Sequence, residues 1–269
     1  MHEAPATAVR RKKDSSIGRC ADLVKQGRAD ALYSAGNTGA TMAAATLKLR
    51  TLEGVTRPAI SAVFPTQGRP AVLVDAGANT DSTAQMLCQF GIMGSVYSRE
   101  ILQVDRPRVG LISIGEEDDK GNETTKEAFG LLERSGVNFV GNAEGADLFE
   151  NNVDVAVCDG FVGNVMLKTS ESVARFLEGW VREEIRSRPL YRVGAFLCRG
   201  AFDRIKEKSD PAYYGGAPLL GVNGVCIIGH GSSTAKAAAN AIRVAADGVD
   251  HQINPQIIEQ IQELTVPHA

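Results

Sequence analysis

The sequence predicts an α/β protein built on a mostly parallel sheet. Short β-rich runs alternate with longer amphipathic stretches, which is the pattern of strands joined by crossover helices. Of the 269 residues, 43% are hydrophobic and 23% are charged, the balance of an ordinary globular protein. A chain of this length buries a core without disulfides or metals. We therefore expect one unit spanning residues 1–269, with lobes and with no cofactor or metal.

The predicted elements follow from the spacing of apolar residues and from the turn and cap residues between them. Strand runs are rich in Val, Ile, Leu and Ala, whereas helical stretches carry apolar residues three and four positions apart after a polar cap. The first helix is capped by Asp14 or Ser15 and ends near Gln26, just before Gly27. Later helices are predicted at 38–49, 82–97, 124–135, 163–186, 233–249 and 255–264. Strands are predicted at 31–34, 59–64, 71–74, 109–114, 138–140, 153–158, 219–222 and 225–228.

Composition argues against several classes of protein. The five cysteines lie at least 28 residues apart, which excludes a CxxC zinc or redox motif. No apolar run approaches the ~18 residues of a membrane span, and the start of the chain does not resemble a secretory signal. The net charge of −3 and pI near 5.9 argue against nucleic-acid binding. We expect a cytoplasmic protein, with peripheral contact at the inner face of the membrane as an open alternative.

Glycine-rich turns follow five of the predicted strands. Glycine makes up 28 of the 269 residues, about a tenth of the chain, against a usual share of about 7%. The turns lie at residues 34–39, 75–79, 115–117, 159–164 and 229–233. Open parallel sheets bind ligands at the carboxyl ends of their strands, and the helix N-termini that follow such turns favour anions. Each turn alone could be only a tight turn with an N-cap. Because GxxxxGK[ST] and GxGxxG are both absent, the set favours phosphate over a nucleotide.

His230 is the leading catalytic candidate. It lies between two glycines directly after an apolar strand, whereas the other three histidines accompany no motif. An imidazole there could donate a proton or a hydrogen bond to a developing oxyanion. The alternative is a structural histidine that bonds the backbone of its own turn.

Charged and amide side chains near the turns supply the other candidates. Lys168 lies four residues beyond Asn164, so both project from one helix face and could flank an anion. Lys120 follows an acidic run at 116–119 that we interpret as a solvated loop and not a metal site. Asp75 and Asp159 each end a strand, where a capping role and a catalytic role are both open. The predicted catalytic residues are His230, Lys168 and Asp159, and the predicted phosphate or substrate ligands are Ser34, Asn37, Thr38, Asn79, Lys120 and Asn164.

Two basic surfaces stand out in this acidic chain. The first is Arg10, Arg11, Lys12 and Lys13. The second is an amphipathic segment at 187–210 that includes Arg192 and Arg199; between 182 and 208 there are eight basic and four acidic residues. Such surfaces fit an acidic protein or an anionic membrane. The alternative for the second is a hairpin that packs its apolar side inward.

Long strings of the sequence resemble one family. They are RRKKDSSI (10–17), SAGNTGAT (34–41), DAGAN (75–79), QFGIMGSVY (89–97), IGEEDDKGNE (114–123), CDGFVGNVMLK (158–168), YGGAPLLGVNG (214–224) and IGHGSS (228–233). In order and over nearly the whole chain, they resemble the bacterial phosphate acyltransferase (PlsX) family of phospholipid synthesis.

The resemblance implies an activity and partners. It implies transfer of a fatty acyl group from acyl carrier protein to inorganic phosphate, giving an acyl phosphate for a membrane-bound glycerol-phosphate acyltransferase. It also implies a homodimer of three-layer α/β/α sandwiches related to phosphotransacetylases and to isocitrate and isopropylmalate dehydrogenases. The expected mechanism is direct attack of phosphate on the thioester carbonyl, because phosphate is already an anionic nucleophile and thiolate a good leaving group.

One departure from the family pattern concerns the amino terminus. Family members carry an additional stretch there, with a first strand and a D-x-M-G-G-D turn, that this sequence lacks. We expect either a misassigned start or a shortened form. Two alternative functions stay open: a nicotinamide-dependent dehydrogenase, which rests on the related fold, and a non-catalytic scaffold that binds carrier protein, which rests on the missing stretch.

Overall fold

Helices cover both faces of one eight-stranded sheet. A computed structural model describes residue 11, residues 14–209 and residues 214–265, and for 206–209 and 265 it describes the backbone alone. The strands are β1 (Ala31–Ser34), β2 (Ala59–Phe64), β3 (Ala71–Val74), β4 (Val109–Ile112), β5 (Phe139–Ala143), β6 (Val155–Val157), β7 (Ala217–Leu220) and β8 (Val225–Ile228). The predicted α/β/α architecture is confirmed.

The longer helices follow the predicted positions closely. From residue 14 onward they are α1 (Ser16–Lys25), α2 (Thr38–Lys48), α3 (Ala84–Glu100), α4 (Glu123–Glu133), α5 (Gly145–Glu150), α6 (Gly160–Ser187), α7 (Pro189–Leu197), α8 (Arg199–Ser209), α9 (Ala235–Asp250) and α10 (Ile253–Thr265). No helix was predicted at α5, and α7 and α8 were predicted only as one amphipathic segment. The prediction also began α6 three residues too late, because Asp159 caps the helix by accepting a hydrogen bond from the Val162 amide.

Strand direction reverses within the sheet. The strand order is β1-β8-β7-β2-β3-β6-β4-β5, and four of the seven pairs are parallel. The three antiparallel pairs involve β2 and β7. As a result, β1, β2 and β8 run in one direction and the other five strands run in the opposite direction. The sheet is mostly parallel, as predicted, but its strands do not all end at one edge.

Alternating side chains of the strands build three hydrophobic clusters. Val72 and Val74 of β3 pack with α3, α4 and α10 on one face of the sheet, while Leu73 points to the other face, towards α1, α2 and α5. On β8, Val225 and Ile227 pack against α9. Because both faces of the central strands are buried, the runs look continuously hydrophobic in the sequence.

Helix α3 is the most deeply buried helix of the fold, with 14 of its 17 residues buried. Two glycines on it allow close approach to its neighbours. A Cβ on Gly94 would lie 2.6 Å from Val155 Cγ1, and a Cβ on Gly91 would lie 2.7 Å from Leu132 Cδ2. The distance between α3 and the sheet therefore depends on these positions having no side chain.

Helices α6 to α8 differ from the rest because little of them is buried. Of the 28 residues in α6, the buried ones are Gly160 and Gly163, both in its first turn. Large apolar side chains of α7 are well exposed, with Leu190, Phe196 and Leu197 at 75%, 73% and 77%. Within the described part of the chain, no helix has the length and apolar character needed to cross a membrane.

We expect Gly94→Ala to destabilise the protein. The added methyl group would overlap Val155 on the sheet, so α3 would have to move outward, at a cost of about 1–3 kcal/mol in the free energy of unfolding. The matched control is Gly130→Ala in α4, where the nearest heavy atom, in the Arg134 guanidinium, is 3.6 Å away. Urea denaturation followed by circular dichroism measures both variants. Equal stability of the two would contradict the close packing of α3.

Candidate active site

The five glycine-rich turns fall into two groups. The turns after β1 and β8 form the first group, and the turns after β3, β4 and β6 form the second. Neighbouring parallel strands join the turns within each group, while the antiparallel strands β7 and β2 separate the groups. The five turns, which form one set by their residue types, therefore lie at two opposite edges of the sheet. The residue types of the turns do not reveal strand direction, which is decided by pairing.

The second group is organised by the carboxylate of Asp75, which is fully buried. Its two oxygens accept hydrogen bonds from the amides of Ile60 (3.0 Å), Gly77 (3.1 Å), Ala78 (2.9 Å) and Asn79 (2.6 Å), and from the Asn79 side chain (2.9 Å). Burial raises the pKa of Asp75, while these donors oppose that shift. Of the two roles left open from the sequence, this geometry supports the structural one.

Asn79 links this turn to its neighbours. Its Nδ2 donates both hydrogens, to Asp75 Oδ2 at 2.9 Å and to the Pro58 carbonyl at 2.8 Å. Its own carbonyl accepts from the Gly160 amide at 2.7 Å. The side chain has no donor left for an anion. The geometry gives the predicted role of Asn79 as a phosphate ligand no support.

The first turn of α6 lies directly on the Asp75 turn. A Cβ on Gly163 would overlap the Asp75 carbonyl oxygen, so a glycine is required at this contact. Sequence reasoning missed this role; the signal was the Gly-x-x-Gly spacing at 160–163 on the buried side of the helix. Asp159 uses Oδ1 to cap the helix, at 2.8 Å from the Val162 amide.

Asn164 and Lys120 are the side chains of the second group that are available to a ligand. Asn164 is exposed and makes no side-chain hydrogen bond with the residues that the structure describes; its Cβ lies 3.4 Å from where a Cβ on Gly77 would be. Lys120 has a side chain 43% exposed and a distant partner, Glu117, at 4.0 Å. Its loop is fixed by a 2.7 Å hydrogen bond from Asn142 Nδ2 to the Glu117 carbonyl.

Lys168 lies one helical turn beyond Asn164, as predicted from their spacing. Its ammonium pairs with Glu171 at 3.0 Å, and its side chain is 55% exposed. A pair this exposed contributes little to stability. The ammonium can therefore move to a bound anion at small cost.

The first group holds three predicted ligands. Ser34 is buried, and its hydroxyl oxygen lies 2.9 Å from Thr41 Oγ1 and 3.3 Å from the Gly36 amide. Asn37 caps α2 by accepting a hydrogen bond from the Ala40 amide at 2.9 Å. Thr38 is the exposed first residue of that helix. These contacts organise the turn and leave the Asn37 amide nitrogen and the Thr38 hydroxyl at its surface.

His230 is exposed in the same group and is held by its own turn. The Ser232 amide donates to Nδ1 at 3.2 Å, and the Ser232 hydroxyl lies 2.6 Å from the same nitrogen. A ring nitrogen that accepts a backbone N–H carries no proton itself, so the neutral ring has its proton on Nε2. Nε2 is thereby left as the donor, and the described residues offer it no hydrogen-bond partner.

The basic surfaces are only partly described. Arg10, Lys12 and Lys13 lie outside the described residues, and Arg11 is exposed. Arg192 donates to the Arg186 carbonyl at 2.7 Å, and Arg199 lies 3.7 Å from Asp203. Since α7 has no buried residue, the alternative of an inward-packed hairpin does not describe this chain.

The fold is shared with phosphotransacylases. A phosphotransacetylase from Streptococcus pyogenes is similar with a TM-score of 0.57 at 20% identity, over 86% of this chain and 66% of that chain. A branched-chain phosphotransacylase from Enterococcus faecalis gives 0.54 at 13% identity, over 88% and 80%. At such identities the likeness concerns the fold.

Sequence comparison defines the family. The family described as "Fatty acid synthesis protein" matches residues 1–256. A phosphate acyltransferase from Pelotomaculum thermopropionicum is 52% identical over 100% of this chain and 79% of its own length. One from Desulforudis audaxviator is 53% identical over 93% and 74%. The chain belongs to this fatty acid synthesis protein family, which confirms the resemblance found in its motifs.

We expect Asp75→Asn to unfold the second group of turns. An amide offers one acceptor oxygen in place of two and turns an NH₂ group towards N–H donors, which costs about 2–4 kcal/mol in the free energy of unfolding. Chemical denaturation measures the loss. Asp81→Asn, at an exposed position, is the control and should leave stability unchanged. If Asp75→Asn were as stable as the control, the five hydrogen bonds would not hold this turn.

Proposed function

We propose that this chain transfers a fatty acyl group from the thioester of acyl carrier protein to inorganic phosphate. The products are an acyl phosphate and free carrier protein. The observation that carries the proposal is about 50% identity, over nearly the whole chain, to relatives named phosphate acyltransferase. The second group of turns supports it, because the N-terminus of α6, the exposed Asn164 amide and the Lys120 side chain all follow the neighbouring parallel strands β6 and β4.

Phosphate would bind at the start of α6. The Asn164 amide and the ammonium groups of Lys120 and Lys168 would donate to its oxygens, and Asp159 would keep the helix N-terminus in place. A phosphate oxygen would then attack the thioester carbonyl carbon. As the tetrahedral intermediate collapses, the C–S bond breaks and its electron pair leaves with the carrier thiolate.

An acyl-cysteine intermediate has little support. Cys158 is the cysteine nearest to this site; it is buried, with its sulfur 3.7 Å from the Asp75 carbonyl. Burial, together with the charges of Asp159 and Asp75, raises the pKa of its thiol well above the usual value. A buried, protonated thiol is a poor nucleophile, so direct displacement by phosphate is the proposed route.

The activity test is direct. The chain is incubated with palmitoyl-acyl carrier protein and phosphate, and acyl phosphate is trapped with hydroxylamine. Trapped acyl hydroxamate that depends on phosphate supports the proposal. Reduction of NAD with a hydroxy acid would favour the dehydrogenase, and carrier binding without turnover would favour the scaffold.

Lys120→Ala and Asn164→Ala should weaken the use of phosphate. Each removes a donor that no described protein group replaces, and we expect kcat/KM for phosphate to fall by about 10²-fold. Lys126→Ala is the control, since Lys126 is an exposed lysine of α4 on the same segment. Steady-state kinetics with varied phosphate measures the three variants. A fall no larger than in the control would place phosphate elsewhere.

His230 is proposed as the donor to the thioester oxyanion. Its Nε2–H has the required chemistry, but it belongs to the first group of turns, with Ser34, Asn37 and Thr38, at the opposite edge of the sheet from Asn164, so this role places the reaction at the first group as the alternative to the start of α6. His230→Ala should lower kcat by about 10²-fold and leave KM for phosphate unchanged. His251→Ala is the control, because His251 is an exposed histidine whose Nδ1 lies 2.8 Å from the Asp247 carbonyl. Full activity of His230→Ala would confine the chemistry to the second group.

Partners are proposed from the exposed surfaces. The proposed location is the cytoplasm. There the exposed basic side chains Arg11, Arg192 and Arg199 would attract acidic carrier protein or the anionic inner face of the membrane. The distal α6 surface (Val173, Phe176, Leu177, Trp180 and Val181), with exposures from 49% to 58%, suits a second copy of the chain in a homodimer. A membrane-bound glycerol-phosphate acyltransferase would consume the acyl phosphate.

A further inference from the structure

Large apolar side chains surround the second group of turns. Ile114, directly after β4, is 80% exposed, and Phe161, in the first turn of α6, is 63% exposed. Val165, one helical turn further along α6, is 49% exposed. A single exposed apolar residue is ordinary. Three such residues beside the groups available to an anion require a different explanation.

Helix geometry places two of them on the ligand-binding face of α6. At about 100° per residue, Phe161, Asn164, Val165 and Lys168 fall within an arc of about 100°. Gly163, which is buried against the Asp75 turn, lies about 160° from Phe161 on the same projection. Phe161 and Val165 therefore face the same side as the amide and the ammonium, away from the core.

Ile114 follows the strand next to the one that leads into α6. β4 and β6 are adjacent and parallel, with Leu111 paired to Val157. Ile114 follows Leu111 by three residues, and Phe161 follows Val157 by four, so both come from the ends of strands about 4.8 Å apart. Lys120 lies on the same loop as Ile114.

In the proposed reaction, an apolar surface beside Asn164 and Lys120 would shield the beginning of the acyl chain from water. The attacking phosphate oxygen has to come within about 3–3.5 Å of the thioester carbonyl carbon. The first methylene groups of the acyl chain then lie within a few ångströms of Asn164 and Lys120. Each methylene removed from water contributes about 0.8 kcal/mol, so an apolar surface beginning there favours long chains.

We propose that Ile114, Phe161 and Val165 form the surface that binds the beginning of the fatty acyl chain and so favours a fatty acyl donor over an acetyl donor. This rests on the proposed function, since it assigns a subsite of the same site. The distal α6 surface lies on a different side of the helix: its projected centre is turned about 120° from Phe161. It is therefore not a continuation of this subsite.

The experiment compares two donors that differ only in chain length. Palmitoyl- and acetyl-acyl carrier protein are used with the wild type, Phe161→Ser, Ile114→Ser and the control Ile242→Ser. We expect the ratio of kcat/KM for the palmitoyl donor to that for the acetyl donor to fall about tenfold in Phe161→Ser and Ile114→Ser, because an acetyl group has no methylene that could contact this surface. Ile242→Ser, at a residue of α9 that is 61% exposed, should keep the wild-type ratio.

The outcomes separate this inference from the proposed function. If both donors lose activity equally in Phe161→Ser and Ile114→Ser, the inference is wrong, because these side chains then act on the carrier or on the turn. If the wild type forms no acyl phosphate from either donor, the proposed function itself fails. Thermal unfolding of each variant is measured in parallel, and Phe161→Leu, which keeps the fold and shortens the apolar surface, should give an intermediate ratio.

Discussion

The buried carboxylate of Asp75 is the interaction on which the candidate site depends. It joins the start of β2, the turn after β3 and, through Asn79, the first turn of α6. A buried charge of this kind is tolerable only when its oxygens are fully hydrogen-bonded, so the N–H groups around it have little freedom to move. That rigidity fixes the first turns of α6, from which Asn164 projects.

Much of the fold was predictable because local patterns decide it. The strands at 31–34, 59–64, 71–74 and 225–228 were predicted with the observed bounds, since runs of branched and small apolar residues end there in turn formers. β7 lies two residues earlier than predicted; Gly221, with φ of +83°, ends it. The short helix α5 has too few residues for a helical period to be visible.

The site was less predictable because it depends on contacts between distant segments. From the sequence, Asn79 was predicted as a ligand. In the structure its side-chain amide donates both hydrogens to Pro58 and Asp75, which lie 21 and 4 residues away. Strand direction could not be inferred, because β2 and β7 meet across more than 150 residues. Asn164 and Lys120 both lie at turns that follow neighbouring parallel strands, which bring such turns to the same edge of the sheet. Their role in binding phosphate stays a prediction.

The length of α6 has a mechanical consequence. Its 28 residues extend about 42 Å at a rise of 1.5 Å per residue, from the Asp75 turn to the exposed helices α7 and α8. A molecule that binds at the far end is too distant to touch a ligand beside Asn164. It can influence that ligand only by tilting or shifting the whole helix about Gly160 and Gly163. The fit of these two glycines against the Asp75 turn leaves little room for such motion. Binding at the far end of α6 should therefore have little effect on a ligand beside Asn164.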